Sequence, residues 1–129
     1  MSVNKTINEG GYGSFLAANA ITLYQRVKFV SGTSPDGKPS IDIAANQDRA
    51  VGVAMQPIAS GSYGQIRFLN AQGEQFGIAS GTIALGATVY AAASGALSTT
   101  ATSSNLVGIA TSAATNGNVF TYIQVPTAA

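Results

Sequence analysis

The stretch that decides the fold runs from Asp48 to Leu69 and reads DRAVGVAMQPIASGSYGQIRFL. A similar stretch, NLVGIATSAATNGNVFTYIQV, runs from Asn105 to Val125. Gly52 in the first and Gly108 in the second each lie inside a short apolar run, and another glycine follows nine residues later in both. β-Branched residues on either side of a glycine favour a buried strand that another backbone can approach closely. The sequence therefore predicts one small β unit used twice.

The two copies align at nearly constant spacing, at about residues 21–70 and 83–125. The glycines of the two stretches are 56 residues apart. Upstream, Ile83–Ala91 repeats the pattern of Ile21–Phe29 at a spacing of 62. The first copy therefore has six additional residues, and we assign them to a surface loop at Thr33–Pro39, where an Asp-Gly pair favours a turn.

Residues 21–129 are predicted to form a single all-β domain, a compact barrel or sandwich built from the two similar units. β-Branched runs alternate with turn-forming residues about every eight to twelve positions, and no helical period is sustained. The two units are expected to pack about a pseudo-twofold axis around a shared core. The predicted core residues are Val27, Val51, Val53, Ile66, Phe68, Val89, Val107, Ile109, Ile123 and Val125.

Residues 1–20 are predicted to form an extended N-terminal arm. Glycines at positions 10, 11 and 13 disfavour both helix and strand. Apolar residues in such a segment commonly become ordered against a partner, with aromatic side chains as anchors. The alternative is a tail without function. The predicted contacts with a partner or a neighbouring subunit are Lys5, Ile7, Tyr12, Phe15 and Leu16.

The composition is poor in charge, with 9% charged residues and a net charge of +1. Such a surface belongs either to a weakly soluble monomer or to a protein covered by copies of itself or by a partner, and we favour the second interpretation. A net charge this small gives no long-range attraction for nucleic acid or an anionic membrane. No stretch approaches the roughly 20 apolar residues of a membrane span. Lys5 and Glu9 interrupt any N-terminal apolar run, so a soluble protein without a signal segment, made inside a cell, is expected.

Catalytic chemistry has little support in the residues. The chain contains neither cysteine nor histidine, which excludes the usual activated nucleophiles and makes a zinc site improbable. A carboxylate pair for hydrolysis is a formal alternative only, because each carboxylate lies beside a turn or strand end. We therefore predict no enzymatic activity, no cofactor and no metal site.

The order and doubling of these motifs resemble the phage capsid cement, or head decoration, proteins. The matching motifs are Ile21-Thr22 leading to Val27, Ala50–Ala54 with Gly61, Ile83–Gly86 leading to Val89, and Val107–Ala110 with Gly117. Two features depart from that family's pattern. Tyr24 stands where the pattern usually has glycine, whereas the second copy keeps Gly86, and the Thr33–Pro39 loop is an insertion.

The resemblance implies a small β protein that binds the major capsid protein on the outer surface of an assembled capsid and stabilises it. It also implies a homotrimer, assembly in the host cytoplasm, and no catalytic residues. A second hypothesis is a spike or adhesin-type module that recognises carbohydrate by stacking tyrosines on sugar rings. The tyrosines available for that role are Tyr12, Tyr24, Tyr63, Tyr90 and Tyr122.

Overall fold

The computed structural model describes residues 11–33, 35, 37–101 and 105–125. Within these residues the chain forms ten strands and one short 3-10 turn, Ala93–Gly95, which confirms the all-β prediction. The strands are β1 Tyr12–Leu16, β2 Arg26–Thr33, β3 Pro39–Ile43, β4 Gly52–Ala54, β5 Tyr63–Phe68, β6 Gln75–Ile78, β7 Thr88–Ala91, β8 Leu97–Ser98, β9 Leu106–Ala110 and β10 Val119–Gln124.

The strands form two five-stranded antiparallel sheets with the same topology. Their orders are β1-β5-β4-β2-β3 and β6-β10-β9-β7-β8. Each strand of the first sheet therefore has its counterpart five strands later. We call β1–β5 unit 1 and β6–β10 unit 2.

The two units share matching backbone contacts. Gly61 N donates to Ala17 O, and Gly117 N donates to Ala79 O, both at 2.8 Å. The register locates the insertion as well. Phe29 pairs with Ile41 on β3, and the corresponding pair in unit 2 is Ala91 with Leu97 on β8. The spacing thus changes from 62 to 56 across the β2–β3 connection, as the sequence predicted.

The two repeat glycines lie where a second backbone approaches closely. A Cβ on Gly52 would lie 2.7 Å from the carbonyl oxygen of Arg67 on β5. A Cβ on Gly108 would overlap the carbonyl oxygen of Ile123, which holds the corresponding place on β10. Both strand pairs therefore require glycine at this position, because any side chain would force the strands apart.

Each sheet bends until its outer strands approach one another. A parallel bridge joins Ala17, just after β1, to Ile41 on β3, and a second joins Ala79, just after β6, to Leu97 on β8. Each unit encloses its own cluster of buried apolar side chains in the described part of the chain. The expectation of one shared core is therefore wrong: a bent five-stranded sheet can bury one of its faces against itself.

Five of the ten predicted core residues are fully buried, namely Val27, Val53, Ile66, Val89 and Val107. Val51, Phe68 and Val125 are half-buried. Ile109 and Ile123 are exposed, at 37% and 40%, so their prediction as core residues was wrong. The reason is the alternation of β10, because Phe120 and Tyr122 point inward and bury more apolar area than the alternate residues would.

The structure places part of the predicted N-terminal arm in a sheet. Residues 12–16 form β1, which pairs along its whole length with β5. The ring of Phe15 packs at 5.2 Å from Phe29 and 5.9 Å from Phe68, measured between centroids. Gly13, which was taken to disfavour a strand, lies where a Cβ would come within 2.6 Å of the Phe68 ring. The glycine therefore makes room for the aromatic packing that stabilises this strand.

Candidate interaction surfaces

The residues predicted to contact a partner are in different environments. Tyr12 and Leu16 are half-buried at the two ends of β1. Phe15 is buried in the core of unit 1, so its side chain is not displayed for a contact. Lys5 and Ile7 lie outside the described residues. The structure thus brings Tyr12 and Leu16 to one edge of unit 1.

A shallow groove crosses the outer side of this edge. It has a volume of about 420 Å³ and is lined by Tyr12, Gly13, Ser14, Gln56, Tyr63, Gly64 and Gln65. Ser14 pairs with Gln65 across the two strands, and their side chains are exposed between the two tyrosines. Arg67 approaches the Tyr12 ring to 5.6 Å from the centroid and orients it. The groove therefore combines two aromatic rings with amide and hydroxyl groups.

The other three tyrosines are not in this groove. Tyr24 stacks on Phe76 at 4.7 Å between ring centroids. Tyr122 is fully buried, and Tyr90 is half-buried on β7. The five tyrosines that were candidates for sugar stacking thus reduce to Tyr12 and Tyr63 as a pair on one surface.

Unit 2 covers one face of unit 1 through polar contacts. Gln75 on β6 accepts a hydrogen bond from Arg67 Nε at 3.1 Å and donates one to the carbonyl oxygen of Phe68 at 3.3 Å. Gly95 of the 3-10 turn donates its N–H to Ala44 O at 2.8 Å, beside the start of β2. The face of unit 1 that carries Arg26, Val53 and Arg67 consequently lies against unit 2.

A buried cation lies in this contact. Arg26 is only 4% exposed, and its Nε and Nη1 atoms, like the Tyr122 hydroxyl, have no hydrogen-bond partner among the described residues. Burial raises the pKa of Tyr122 to about 12, and the positive charge of Arg26 opposes this rise. Burial also lowers the pKa of Arg26. The phenol of Tyr122 thus stays neutral until high pH beside a poorly solvated guanidinium, and its ionisation makes the contact sensitive to high pH.

The loop between β3 and β4 makes a second contact between the units. Asp48 forms an ion pair with Lys28 at 2.8 Å and accepts the N–H of Ala45 at 2.8 Å. The Lys28 and Ala45 hydrogen bonds lower the pKa of Asp48. The side-chain amide of Asn105 in unit 2 donates to Asp48 O at 3.2 Å. The ion pair thus holds the loop in the shape that unit 2 contacts.

The outer face of unit 2 is largely apolar and uncharged, with Thr121 between Val119 and Ile123 on the same side of β10. We call the following residues the open face: Phe76, Ile78, Ile109, Val119 and Ile123. The pairs Ile78–Val119 and Ile109–Ile123 are direct cross-strand neighbours, so their side chains lie on the same side of the sheet. Exposure is 38% for Phe76 and 47% for Val119.

Sequence reasoning missed this face, although the sequence carries two indications of it. At the spacing of 56, Ile123 aligns with Arg67, a residue unsuited to a core. In addition, every Asp, Glu, Lys and Arg of the chain lies at or before Glu74. Residues 75–129 therefore offer a partner no charge with which to form an ion pair.

Metal binding has no support in the part of the chain that the structure describes, where no three His, Cys, Asp or Glu side chains come together. Among the same residues, no helix is both long and apolar enough to cross a membrane.

Comparison with known proteins agrees with this architecture. The crystal structure of the head fiber gp8.5 N base of bacteriophage phi29 matches with a TM-score of 0.75, over 88% of this chain and 92% of that chain, at 20% sequence identity. This likeness shows that the fold is shared. No curated protein matches the sequence. The family model for phage cement proteins matches residues 17–125. The chain therefore belongs to the phage cement protein family and is a structural protein of the phage virion, associated with the capsid.

Proposed function

We propose that this protein binds the outer surface of an assembled phage capsid through the major capsid protein and stabilises the shell as a homotrimer. The observation that carries the proposal is the family match over residues 17–125, which spans both units. The gp8.5 N base, which has the same fold, is described as part of a head fiber.

The surface chemistry supports association with other subunits. Only 9% of the residues are charged, and an apolar face is exposed on unit 2. Contiguous exposed apolar surface in a soluble protein marks a contact with another protein. Closed symmetric oligomers are the usual way to bury such surface between identical subunits.

The contact with the shell is assigned to residues near the start of the chain. β1 lies at the edge of unit 1, and Tyr12 and Leu16 are half-buried there. Together with Lys5 and Ile7, they are the proposed contacts with the capsid. Phe15 has a structural role in the core and would act on binding only through the position of β1.

The test uses purified capsids that lack this protein. Adding the protein should produce saturable binding, measured by co-sedimentation, and should raise the temperature at which the capsids open. Binding without any gain in capsid stability would contradict the stabilising role, and an absence of binding would contradict the proposal as a whole.

A truncation separates the contact residues from the fold. Removing residues 2–10 leaves β1 and the core residue Phe15 in place, whereas removing residues 2–16 takes both away. The shorter truncation should fold with unchanged thermal stability and bind capsids more weakly. Unchanged capsid binding by this variant would show that Lys5 and Ile7 are not contacts.

We also propose that the protein has no catalytic role. The chain has no histidine or cysteine, and the family is one of structural proteins. Capsid stabilisation by variants in which the carboxylates Asp42 and Glu74 are changed to amides should match that of the unaltered protein.

A second candidate function, carbohydrate recognition, is favoured by the groove that holds Tyr12 and Tyr63. Aromatic faces together with amide groups are suited to binding sugar rings by stacking and hydrogen bonds. Screening against an array of bacterial surface glycans would test it. Any glycan that binds should lose affinity with Tyr63→Ala and keep it with Tyr90→Ala, since Tyr90 is outside the groove.

A further inference from the structure

Equivalent positions on the outer sides of the two units differ in whether they are covered. At the spacing of 56, Val53 and Arg67 of unit 1 correspond to Ile109 and Ile123 of unit 2. Val53 is fully buried, whereas Ile109 is 37% exposed. The part of this side formed by Val53 and Arg67 is therefore covered in unit 1, whereas the equivalent part formed by Ile109 and Ile123 is uncovered in unit 2.

The cover over unit 1 is a second unit of the same fold. β6 and the 3-10 turn of unit 2 lie against β4 and β2 of unit 1. Gln75 is hydrogen-bonded to Arg67, and the backbone of Gly95 lies against that of Arg26. This side of the unit is thus a surface against which the chain already packs another unit.

The corresponding side of unit 2 has the composition of a contact that excludes water. Val119 and Ile123 are each more than a third exposed, as is Phe76, whose ring stacks on Tyr24 of unit 1, and no side chain after Glu74 carries a charge. A partner rich in charge would lose hydration on this face and gain no ion pair. A surface as poor in charge as this chain's own avoids that loss.

We propose that the open face is a self-association surface and that its occupant is a second copy of this chain. A unit of the second copy would lie over β9, beside Ile109 and Ile123, as unit 2 lies over β4, beside Val53 and Arg67, within one chain. Contact of this kind between different patches closes into a ring when the rotation allows it. The proposal rests on the homo-oligomer in the proposed function and names the face that forms it.

The test is the mass of the full chain in solution, measured by sedimentation equilibrium over a range of concentrations. The unaltered protein should form oligomers as its concentration rises. The variant Ile109→Lys with Ile123→Lys places two ammonium groups on neighbouring strands of the face and should weaken association by roughly tenfold or more, because an unpaired buried charge is costly. Leu23→Lys is the control, since Leu23 is 36% exposed and lies outside the open face.

Each outcome decides the matter. Oligomers that the double variant loses and Leu23→Lys keeps, with the thermal unfolding of both variants unchanged, support the proposal. A monomer at every concentration, or a double variant that associates as well as the unaltered protein, overturns it. A monomeric unaltered protein that loses capsid binding with the double variant would also overturn it, because the face would then contact the shell. Failure of the unaltered protein to bind capsids at all is the separate failure of the proposed function.

Discussion

The two units share a backbone and differ in almost every side chain that faces outward. Tyr24 N donates to Ala54 O at 2.8 Å in unit 1, and Gly86 N donates to Ala110 O at 2.9 Å in unit 2. Yet all the charged residues belong to the first 74 positions. The backbone hydrogen bonds that form the fold are therefore the same in both units, whereas the outward-facing side chains differ.

Comparing the two units shows at which positions the backbone geometry determines the residue type and at which the surroundings of the side chain do. Gly52 and Gly108 both remain glycine because a carbonyl group of the neighbouring strand fills the space a side chain would need. Arg67 and Ile123 occupy the same strand position but face unit 2 and solvent, respectively. Equivalence of backbone therefore does not carry over to equivalence of surface.

The largest effect is expected from a side chain at the repeat glycines. Gly108→Ala would place a Cβ on the carbonyl of Ile123, and we expect it to lower the free energy of unfolding by about 3 kcal/mol, because the strands must separate. Gly52→Ala has a slightly longer approach and is expected to lower it by about 1–2 kcal/mol. Urea denaturation followed by circular dichroism measures both.

Gly117→Ala is the control for the glycine variants. A Cβ there would meet no atom within 4 Å, but the residue has a φ of +83°. The expected loss is about 1 kcal/mol, from backbone conformation alone. If Gly108→Ala were no more destabilising than Gly117→Ala, close approach of the strands would not be the reason for the glycine.

The second effect concerns alkaline pH and separates Tyr122 from Ile66, its counterpart in unit 1. The pKa of Tyr122 is raised from 10.0 to about 12, so the folded state favours the neutral phenol. The neutral phenol therefore contributes fully to the free energy of unfolding below pH 10, and this contribution is lost as the pH rises from about 10 to about 12. The expected loss is about 2–3 kcal/mol.

Tyr122→Phe should remove that part of the alkaline loss and leave stability at pH 7 unchanged or slightly raised, because the hydroxyl has no hydrogen-bond partner in the described structure. Tyr63→Phe, at an exposed tyrosine of unit 1, should keep the alkaline loss. Thermal melts of the two variants from pH 7 to about pH 12 cover the range above pH 10 in which the phenol titrates. An unaltered slope for Tyr122→Phe would contradict the assignment.

The third effect tests a turn in which a tyrosine of unit 1 and a glycine of unit 2 share a left-handed backbone conformation. Tyr24 has a φ of 67° and Gly86 a φ of 78°, both in the left-handed region. We expect Tyr24→Gly to be more stable than Tyr24→Ala by about 1 kcal/mol, since both lose the ring contact with Phe76 and only glycine relieves the backbone. Melting temperatures that rank alanine above glycine would show that the turn is not strained.

The smallest effect is expected at the ion pair of unit 1, for which unit 2 has no charged counterpart. Since the pKa of Asp48 is lowered in the folded state, its contribution is present above the unfolded value near 4 and is lost as the pH falls through the folded value. Asp48→Asn should therefore reduce the loss of stability in acid. Lys28→Gln, which removes the cation, should have a similar effect, and a difference between the two variants would assign part of it to the Ala45 hydrogen bond.

The sequence predicted those features that depend on local backbone needs. The spacing of Gly52 and Gly108, the insertion before Pro39 and the all-β class all follow from turn residues and strand periodicity. The register of β10 could not be chosen in this way, because Phe120 and Ile123 are both apolar. Aligning all residues of the two units, and not only the glycines, would have matched Ile123 with Arg67 and so predicted that Ile123 faces outward.

The first strand was missed for a different reason. β1 is stabilised by the contacts of Phe15 with Phe29 and Phe68, which are far apart in sequence. No local sequence pattern predicts such contacts, and Gly13 disfavoured a strand at this position. Ile109 and Ile123 of the open face were likewise assigned to the core, since hydrophobicity alone does not distinguish a buried strand face from an exposed apolar one.

The parallel bridges at Ala17 and Ala79 have a consequence for crowding. A sheet with long unpaired edges offers its backbone donors and acceptors to any neighbouring chain, and this leads to uncontrolled strand pairing. By bringing the first and third strands of each unit together, the bridges shorten those edges. If many copies bind one shell, as proposed, neighbouring copies would meet through side-chain surfaces, whose affinity changes with single substitutions, rather than through backbone pairing, which does not.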